Sequence, residues 1–393
     1  MTTDSSILNS LNLLLANPVT LDVETTTFMK GNVHAASNYL VTIQVKQKDE
    51  PTQVFFKEDF KNVLPILHDA SCIIAANSKF DLGWLYRELG FFPDCPLWDI
   101  QLAEFIFSNQ TWLYPDLDTI ATNYGLGHKQ DLVKQYWNDG VDTPDIPREI
   151  LVEYGIQDVE LSYAVFLAQV ERFKTSNQHQ FKLFRVHCAD TVVLLEMENN
   201  GILYDCDASI KRDEEIQNEI KQIENTLNGY ANGTPINWSS RDHISKFLYG
   251  GTLVEETRLP IGVYNSGAKA GQPRFKILKT TYDLPRLVEP VKGSELKKEG
   301  FYSTDEPTLL SLKPNKTVKN IITLLLERVK LSKLSSTYLQ KLPKLIDTMQ
   351  WDDNKIYSTL NQCVVITGRL SSTKPNQQNF PPEVKTFCIS RYN

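Results

Sequence analysis

Pro18-Val-Thr-Leu-Asp-Val-Glu24 opens the reading. Val19, Leu21 and Val23 alternate with Thr20, Asp22 and Glu24, the period of two that a β-strand imposes on its side chains. On such a strand Asp22 and Glu24 project from the same face. Two carboxylates sharing a small volume repel each other unless a cation lies between them, so the pair is a candidate metal site. Taken alone the signal is weak, because a solvated strand end has the same sequence.

Working outward, further β-rich runs at Tyr39 to Val45, Gln53 to Phe56 and Cys72 to Ala76 alternate with helical patterns as far as residue 175. That alternation predicts an α/β domain. A third carboxylate follows the Cys72 strand, in Asn77-Ser-Lys-Phe-Asp81, and a fourth closes Tyr154-Gly-Ile-Gln-Asp158, where a spacing of four puts phenol and carboxylate on one helical face. Each piece has a plain structural reading, Tyr154 as a core aromatic and Asp158 as a surface acid. In this order, together with the helix-like Leu97-Trp-Asp-Ile-Gln-Leu-Ala-Glu104, they resemble the motifs of the DnaQ-like 3′-5′ exonucleases, over roughly residues 18–175.

The resemblance implies a ribonuclease H-like fold and a catalytic set of Asp22, Glu24, Asp81, Tyr154 and Asp158. The four carboxylates would hold two Mg²⁺ or Mn²⁺ ions, and Tyr154 would orient water. Asn77 and Lys79 are expected to shape the pocket and touch DNA. Two ions about 3.5–4 Å apart can make hydroxide at neutral pH and stabilise the leaving oxygen. A phenol of ordinary acidity stays protonated there, so it directs water better than it removes a proton.

The 393 residues are 41% hydrophobic and 23% charged, as in a soluble globular protein of two or three domains. No apolar run approaches a bilayer span, and Met1-Thr-Thr-Asp-Ser-Ser6 lacks an export pattern. Six scattered cysteines without a C-x-x-C pair read as reduced thiols in a cytoplasm-like compartment, a bacterial host's if the gene is a phage's. The net charge of −7 is unevenly placed: residues 1–175 carry 12 Lys and Arg against 24 Asp and Glu, and residues 176–393 carry 29 against 24. An acidic half suits divalent cations and a mildly basic half suits phosphates.

Downstream, Ile216, Ile220, Ile223 and Leu227 recur at helical spacing, with Asp207 as a plausible N-cap and Asn232-Gly233 as a stop. Residues 251–306, rich in Gly, Pro, Lys and Thr, read as an irregular or hairpin-bearing excursion without evident chemistry. An apolar helix is predicted over 318–334, then a stop at Lys341-Leu-Pro343 and a strand-like run from Lys355 to Ile366.

Four segments here resemble family A DNA polymerases, the group of bacterial DNA polymerase I and many phage replicases. They are Glu196-Met-Glu-Asn-Asn-Gly-Ile-Leu-Tyr-Asp205, Ile236-Asn-Trp-Ser-Ser-Arg-Asp-His-Ile244, Lys333-Leu-Ser-Ser-Thr-Tyr-Leu-Gln-Lys-Leu-Pro343 and Thr367-Gly-Arg-Leu-Ser-Ser-Thr-Lys-Pro-Asn-Gln-Gln-Asn-Phe-Pro381. The resemblance implies that Lys333 and Lys341 track a duplex, as part of a run of five cations over 321–345. It also implies that Arg369, Asn376, Gln378 and Asn379 touch the minor groove near a primer end, where hydrogen bonds read pair geometry.

The fold expected is an α/β ribonuclease H-like exonuclease domain over 1–178, a mostly α-helical thumb over 179–350 with the insertion at about 251–306, and the first part of a palm over 351–393. The expected partners are DNA primer–template, single-stranded 3′ ends and a second polypeptide carrying the remaining palm and the fingers, since the palm aspartates and fingers helix of the family are not found. A thioredoxin-type processivity factor is not expected, because few residues separate Leu227 from Ile236, and neither is a membrane. The rivals are a stand-alone exonuclease with a DNA-holding arm and a non-catalytic DNA-binding scaffold subunit; all four motif carboxylates are present, which disfavours the second.

Overall fold

A computed structural model describes residues 5–129, 133–267 and 269–390. The chain divides into two compact units, one of Met1–Cys206 with Leu342–Asn393, the other of Asp207–Lys341. Of the three expected segments, 1–178 and 351–393 thus fall in the first unit, while 179–350 is shared between the two.

The first unit is built on five strands: β1 (Pro18–Thr25), β2 (Leu40–Gln47), β3 (Gln53–Phe56), β4 (Cys72–Ala75) and β5 (Leu97–Asp99). They lie in the order β3-β2-β1-β4-β5, with β2 antiparallel to both β1 and β3, and β1, β4 and β5 running parallel to one another. β1 sits at the centre because its apolar residues Val19, Leu21 and Val23 can be fully covered, and all are at most 5% exposed. Along β1, β4 pairs with Pro18, Val19 and Thr20, so the half of β1 that carries Asp22 and Glu24 runs on past it. A gap for a site is left there.

The 28-residue helix Arg148–Thr175 packs across β1 and β2. Its close approach depends on Gly155: a Cβ there would fall 2.5 Å from Gln44 Cγ, and Gln44 is fully buried. Gly155→Ala should therefore cost about 1–3 kcal/mol through overpacking, read as a lowered thermal midpoint. An unchanged midpoint would mean that helix and sheet separate freely. Elsewhere Trp98, fully buried, meets Phe166, Phe173 and Phe184 edge-on at centroid distances of 4.9, 5.5 and 4.8 Å, and its indole N–H donates to Gln169. This cluster joins the helix Gln178–Asn200 to the sheet.

Also in the first unit, β6 (Ile202–Tyr204) lies between β9 (Lys355–Ile356) and β12 (Cys388–Ile389). β10 (Thr359–Asn361) pairs with β11 (Ser371–Thr373). The strand-like run from Lys355 to Ile366 is thus two short strands and a loop. The second unit contains the helix Cys206–Tyr230, with Ile216, Ile220, Ile223 and Leu227 buried as predicted. Asp207 lies in its first turn rather than at the cap. β7 (Gly251–Val263) and β8 (Pro273–Leu284) form one long antiparallel hairpin. The apolar helix spans Lys316–Leu334, and Lys341-Leu-Pro343 does not stop a helix but opens another, Lys341–Met349. Proline fits a first turn, where its missing N–H has no partner to lose. All six cysteines are free, and no described helix is long and apolar enough to cross a membrane.

Candidate active site

Strand alternation places Asp22 and Glu24 on one face of β1, and the four-residue spacing along Arg148–Thr175 places Tyr154 and Asp158 opposite them. Carboxylate oxygens of Asp22, Glu24 and Asp158 lie within 4.8 Å of one another. Asp158 is 4% exposed and Tyr154 5%. Asp81, 3% exposed, lies in the first turn of the helix Ser78–Leu89 and is near enough to Asp22 for their charges to interact.

What places Asp81 is a buried anchor. Asp99 ends β5 and caps the helix Ile100–Phe107 by accepting from the Leu102 N–H at 3.0 Å. The backbone N–H and the hydroxyl of Ser78 both donate to its other oxygen, at 2.7 and 2.8 Å. One carboxylate thereby fixes the start of two helices. Asn77 precedes the second of them in a left-handed conformation, φ 69°, without a side-chain cap.

Burial, then the neighbouring Asp158 charge, pushes the Asp22 carboxyl up to about 8, while Lys129 opposes the rise. Burial and Asp22 likewise raise Asp81 well above the carboxylate range. Asp22 Oδ2 is buried and accepts no hydrogen bond from the described residues. A protein interior seldom leaves a carboxylate oxygen unsatisfied. Hard oxygen donors crowded together, strained against ionisation, and one of them unsatisfied, fit a divalent cation.

One cation of the chain itself already reaches this cluster. Lys129 Nζ lies 2.5 Å from Asp158 Oδ2, donates to the Tyr154 hydroxyl, and sits 4.1 Å from the centre of the Tyr154 ring. Sequence reading missed Lys129. Its only signal is a lone lysine after the glycine-bearing turn Gly125-Leu-Gly127, between the third and fourth motif carboxylates.

The expected DNA contacts fall in several environments. Lys79 is turned inward: its ammonium donates to Glu198 and to the Leu360 carbonyl, and Glu198 also accepts from the Leu360 N–H. It ties the Asp81 helix to β10 instead of offering a free charge at the surface. Lys333 and Lys341 are exposed, whereas Arg328 in the same run is 7% exposed and paired with Glu224 at 2.7 Å. Arg369, Asn376, Gln378 and Asn379 are exposed around β11, and Gln378 donates to the Leu370 carbonyl. Ser372 is buried and accepts from the Gln377 N–H, so it shapes this loop from within.

Residues 1–168 match the family described as 3′-5′ exonuclease, and residues 275–391 match DNA polymerase family A. Together the two matches are similar to a family A DNA polymerase with its 3′-5′ exonuclease domain and the start of its polymerase domain. The DNA polymerase of Bacillus phage SP01 is 24% identical over 346 residues, which cover 81% of this chain and 35% of the relative. DNA polymerase I of Bacillus subtilis is 26% identical over 284 residues, 72% of this chain and 27% of the relative. The chain thus spans about a third of these curated relatives. In fold, the chain resembles the POL domain of Pol1 from M. smegmatis, solved with DNA primer–template and dNTP. The TM-score is 0.63 at 18% identity, covering 96% of this chain and 55% of that one. The ribonuclease H-like sheet followed by helices is the architecture the family leads one to expect.

Proposed function

We propose that this chain removes nucleotides from the 3′ end of DNA by metal-dependent hydrolysis, releasing nucleoside 5′-monophosphates, as the proofreading part of a replicative polymerase. The observation that carries the reading is the meeting of Asp22, Glu24 and Asp158 within 4.8 Å around an unsatisfied buried oxygen. Asp22, Glu24, Asp81 and Asp158 would hold two Mg²⁺ or Mn²⁺ ions. Bound there, such ions supply a water acidic enough to attack at neutral pH and charge to stabilise the leaving 3′ oxygen.

The residues of the chain do the rest. The Tyr154 hydroxyl, held by Lys129, would orient the attacking water. Asp99 keeps Asp81 in register by holding Ser78. Incubating a 3′-terminal single-stranded oligonucleotide with the chain in Mg²⁺, and again in EDTA, tests the reading. Mononucleotide release only with the metal is expected, and no release in either defeats it.

Lys129→Ala should lower the turnover of single-stranded DNA by roughly 10- to 100-fold, the worth of one or two charge-assisted hydrogen bonds. Lys129→Arg should restore part of it. An unaltered rate in the alanine variant would show that the ammonium plays no part in the reaction.

For the remainder of the chain, the matched polymerase family and the primer–template bound by the M. smegmatis neighbour favour a duplex-holding role for Lys333, Lys341, Arg369, Asn376, Gln378 and Asn379. Nucleotide addition would then draw its palm carboxylates and fingers cations from residues outside these 393, on this polypeptide or a second one. Primer extension with dNTPs by the 393 residues alone should give no product.

A further inference from the structure

The β7–β8 hairpin offers a surface that the exonuclease chemistry does not use. Its strands pair from Gly251 with Leu284 out to Val263 with Pro273, and every described residue from 256 to 281 is exposed. At ~3.3 Å per residue the ribbon extends roughly 40 Å. A bare two-stranded ribbon is marginal in water, and this one also leaves Val263, Phe275 and Ile277 at 56%, 46% and 51% exposure.

Its charge is sorted along its length. Glu255, Glu256 and Asp283 lie at the root, whereas residues 257–282 contain Arg258, Lys269, Arg274, Lys276 and Lys279 and no acid, in a chain of net charge −7. Lys279 pairs with Glu256 at 2.7 Å. Among the described residues the other four cations have no ion-pair partner. The register puts Lys276 opposite Leu259 and Arg274 opposite Gly262 on one face, and Arg258 opposite Ile277 on the other. Like charges on both faces of a free ribbon repel one another, and a polyanion relieves that repulsion.

We propose that the distal half of this hairpin is an arm that binds the phosphate backbone of duplex DNA, an inference that rests on the reading of the chain as a DNA-acting enzyme. Duplex DNA presents one negative charge per ~1.7 Å, enough to face all of these cations along the ribbon. A two-stranded ribbon is also of a size that the major groove, ~12 Å wide, admits, with phosphates on both walls to meet cations on both faces.

The test is fluorescence anisotropy of the full chain with a fluorescein-labelled duplex, titrated with salt, in EDTA. Combined Arg258→Ala, Arg274→Ala and Lys276→Ala changes lie on the exposed ribbon and touch no core residue. They should weaken duplex binding at least tenfold at low salt and flatten the plot of log affinity against log salt by about 2–3. A second variant, Phe275→Thr with Ile277→Thr, should keep the salt slope of the unaltered chain.

Unchanged affinity and slope in the triple variant would overturn the proposal. Loss of affinity confined to the apolar variant would overturn it too, in favour of a protein-docking face. Digestion of a single-stranded oligonucleotide in Mg²⁺ is followed on the same preparation of unaltered chain. Digestion without duplex binding refutes the arm and leaves the exonuclease standing; duplex binding that the triple variant weakens, without digestion, supports the arm and removes the exonuclease.

Discussion

Replacing Asp22 and Glu24 together by alanine should abolish 3′-end digestion, with a loss of at least about 10³-fold. The metals of such a site contribute several kcal/mol of charge stabilisation, and each ~1.4 kcal/mol is a factor of ten in rate. The same variant should fold well. Asp22 is strained against ionisation by burial and by Asp158, so deleting it removes a repulsion that a metal-free chain must otherwise suppress with protons. Activity and stability are therefore expected to move in opposite directions. Rates come from gel analysis of labelled oligonucleotide in Mg²⁺, and folding from thermal melts in EDTA. Equal digestion by both proteins would refute the assignment, and a collapsed melting transition would mean that the carboxylates hold up the fold.

The site was legible in the sequence wherever local periodicity places a side chain. Alternation along Pro18–Thr25 fixes Asp22 and Glu24 on one face whatever the strand pairs with, and a four-residue step on a helix does the same for Tyr154 and Asp158. The three carboxylates that these patterns single out, Asp22, Glu24 and Asp158, do come together. Lys79 was different. Its neighbours in sequence announce a site, but the partners that turn it inward, Glu198 and Leu360, lie 119 and 281 residues away.

Arg328 shows the same limit. It belongs to a cationic run on an amphipathic helix, and only the tertiary approach of Glu224 reveals that one member of the run is neutralised and buried. Lys129 was hidden for a third reason: a lysine in a loop has no period, so its arrival at Asp158 depends on how the chain closes. Beyond its root, where Leu253 is buried, the described β7–β8 ribbon is exposed on both faces, and hydrophobic patterning, which reports burial, had little there to report.

The remaining expectation concerns pH and metal together. Burial, then the Asp158 charge, pushes the Asp22 carboxyl of the folded chain from an ordinary 3.8 up to about 8, and Asp81 is displaced in the same direction, chiefly by burial. A group whose folded pKa is raised holds its proton more tightly when folded. Its contribution to stability is complete below the unfolded pKa and is lost as pH rises through the folded one. In EDTA the unaltered chain should therefore melt at progressively lower temperature from pH 5 to pH 8, by an amount on the order of a few kcal/mol, or roughly 5–10 °C.

Asp22→Asn, neutral at every pH, should flatten much of that decline, leaving the part that belongs to Asp81. Adding Mn²⁺ at pH 8 should raise the melting temperature of the unaltered chain, because a cation takes over from the proton and binds the folded state alone; at a hundredfold excess over its dissociation constant the gain is about 2.7 kcal/mol. The asparagine variant, short of one charged ligand, should gain less. A melting temperature independent of pH in EDTA, or an equal Mn²⁺ effect on both proteins, would show that Asp22 is neither strained against ionisation nor a ligand.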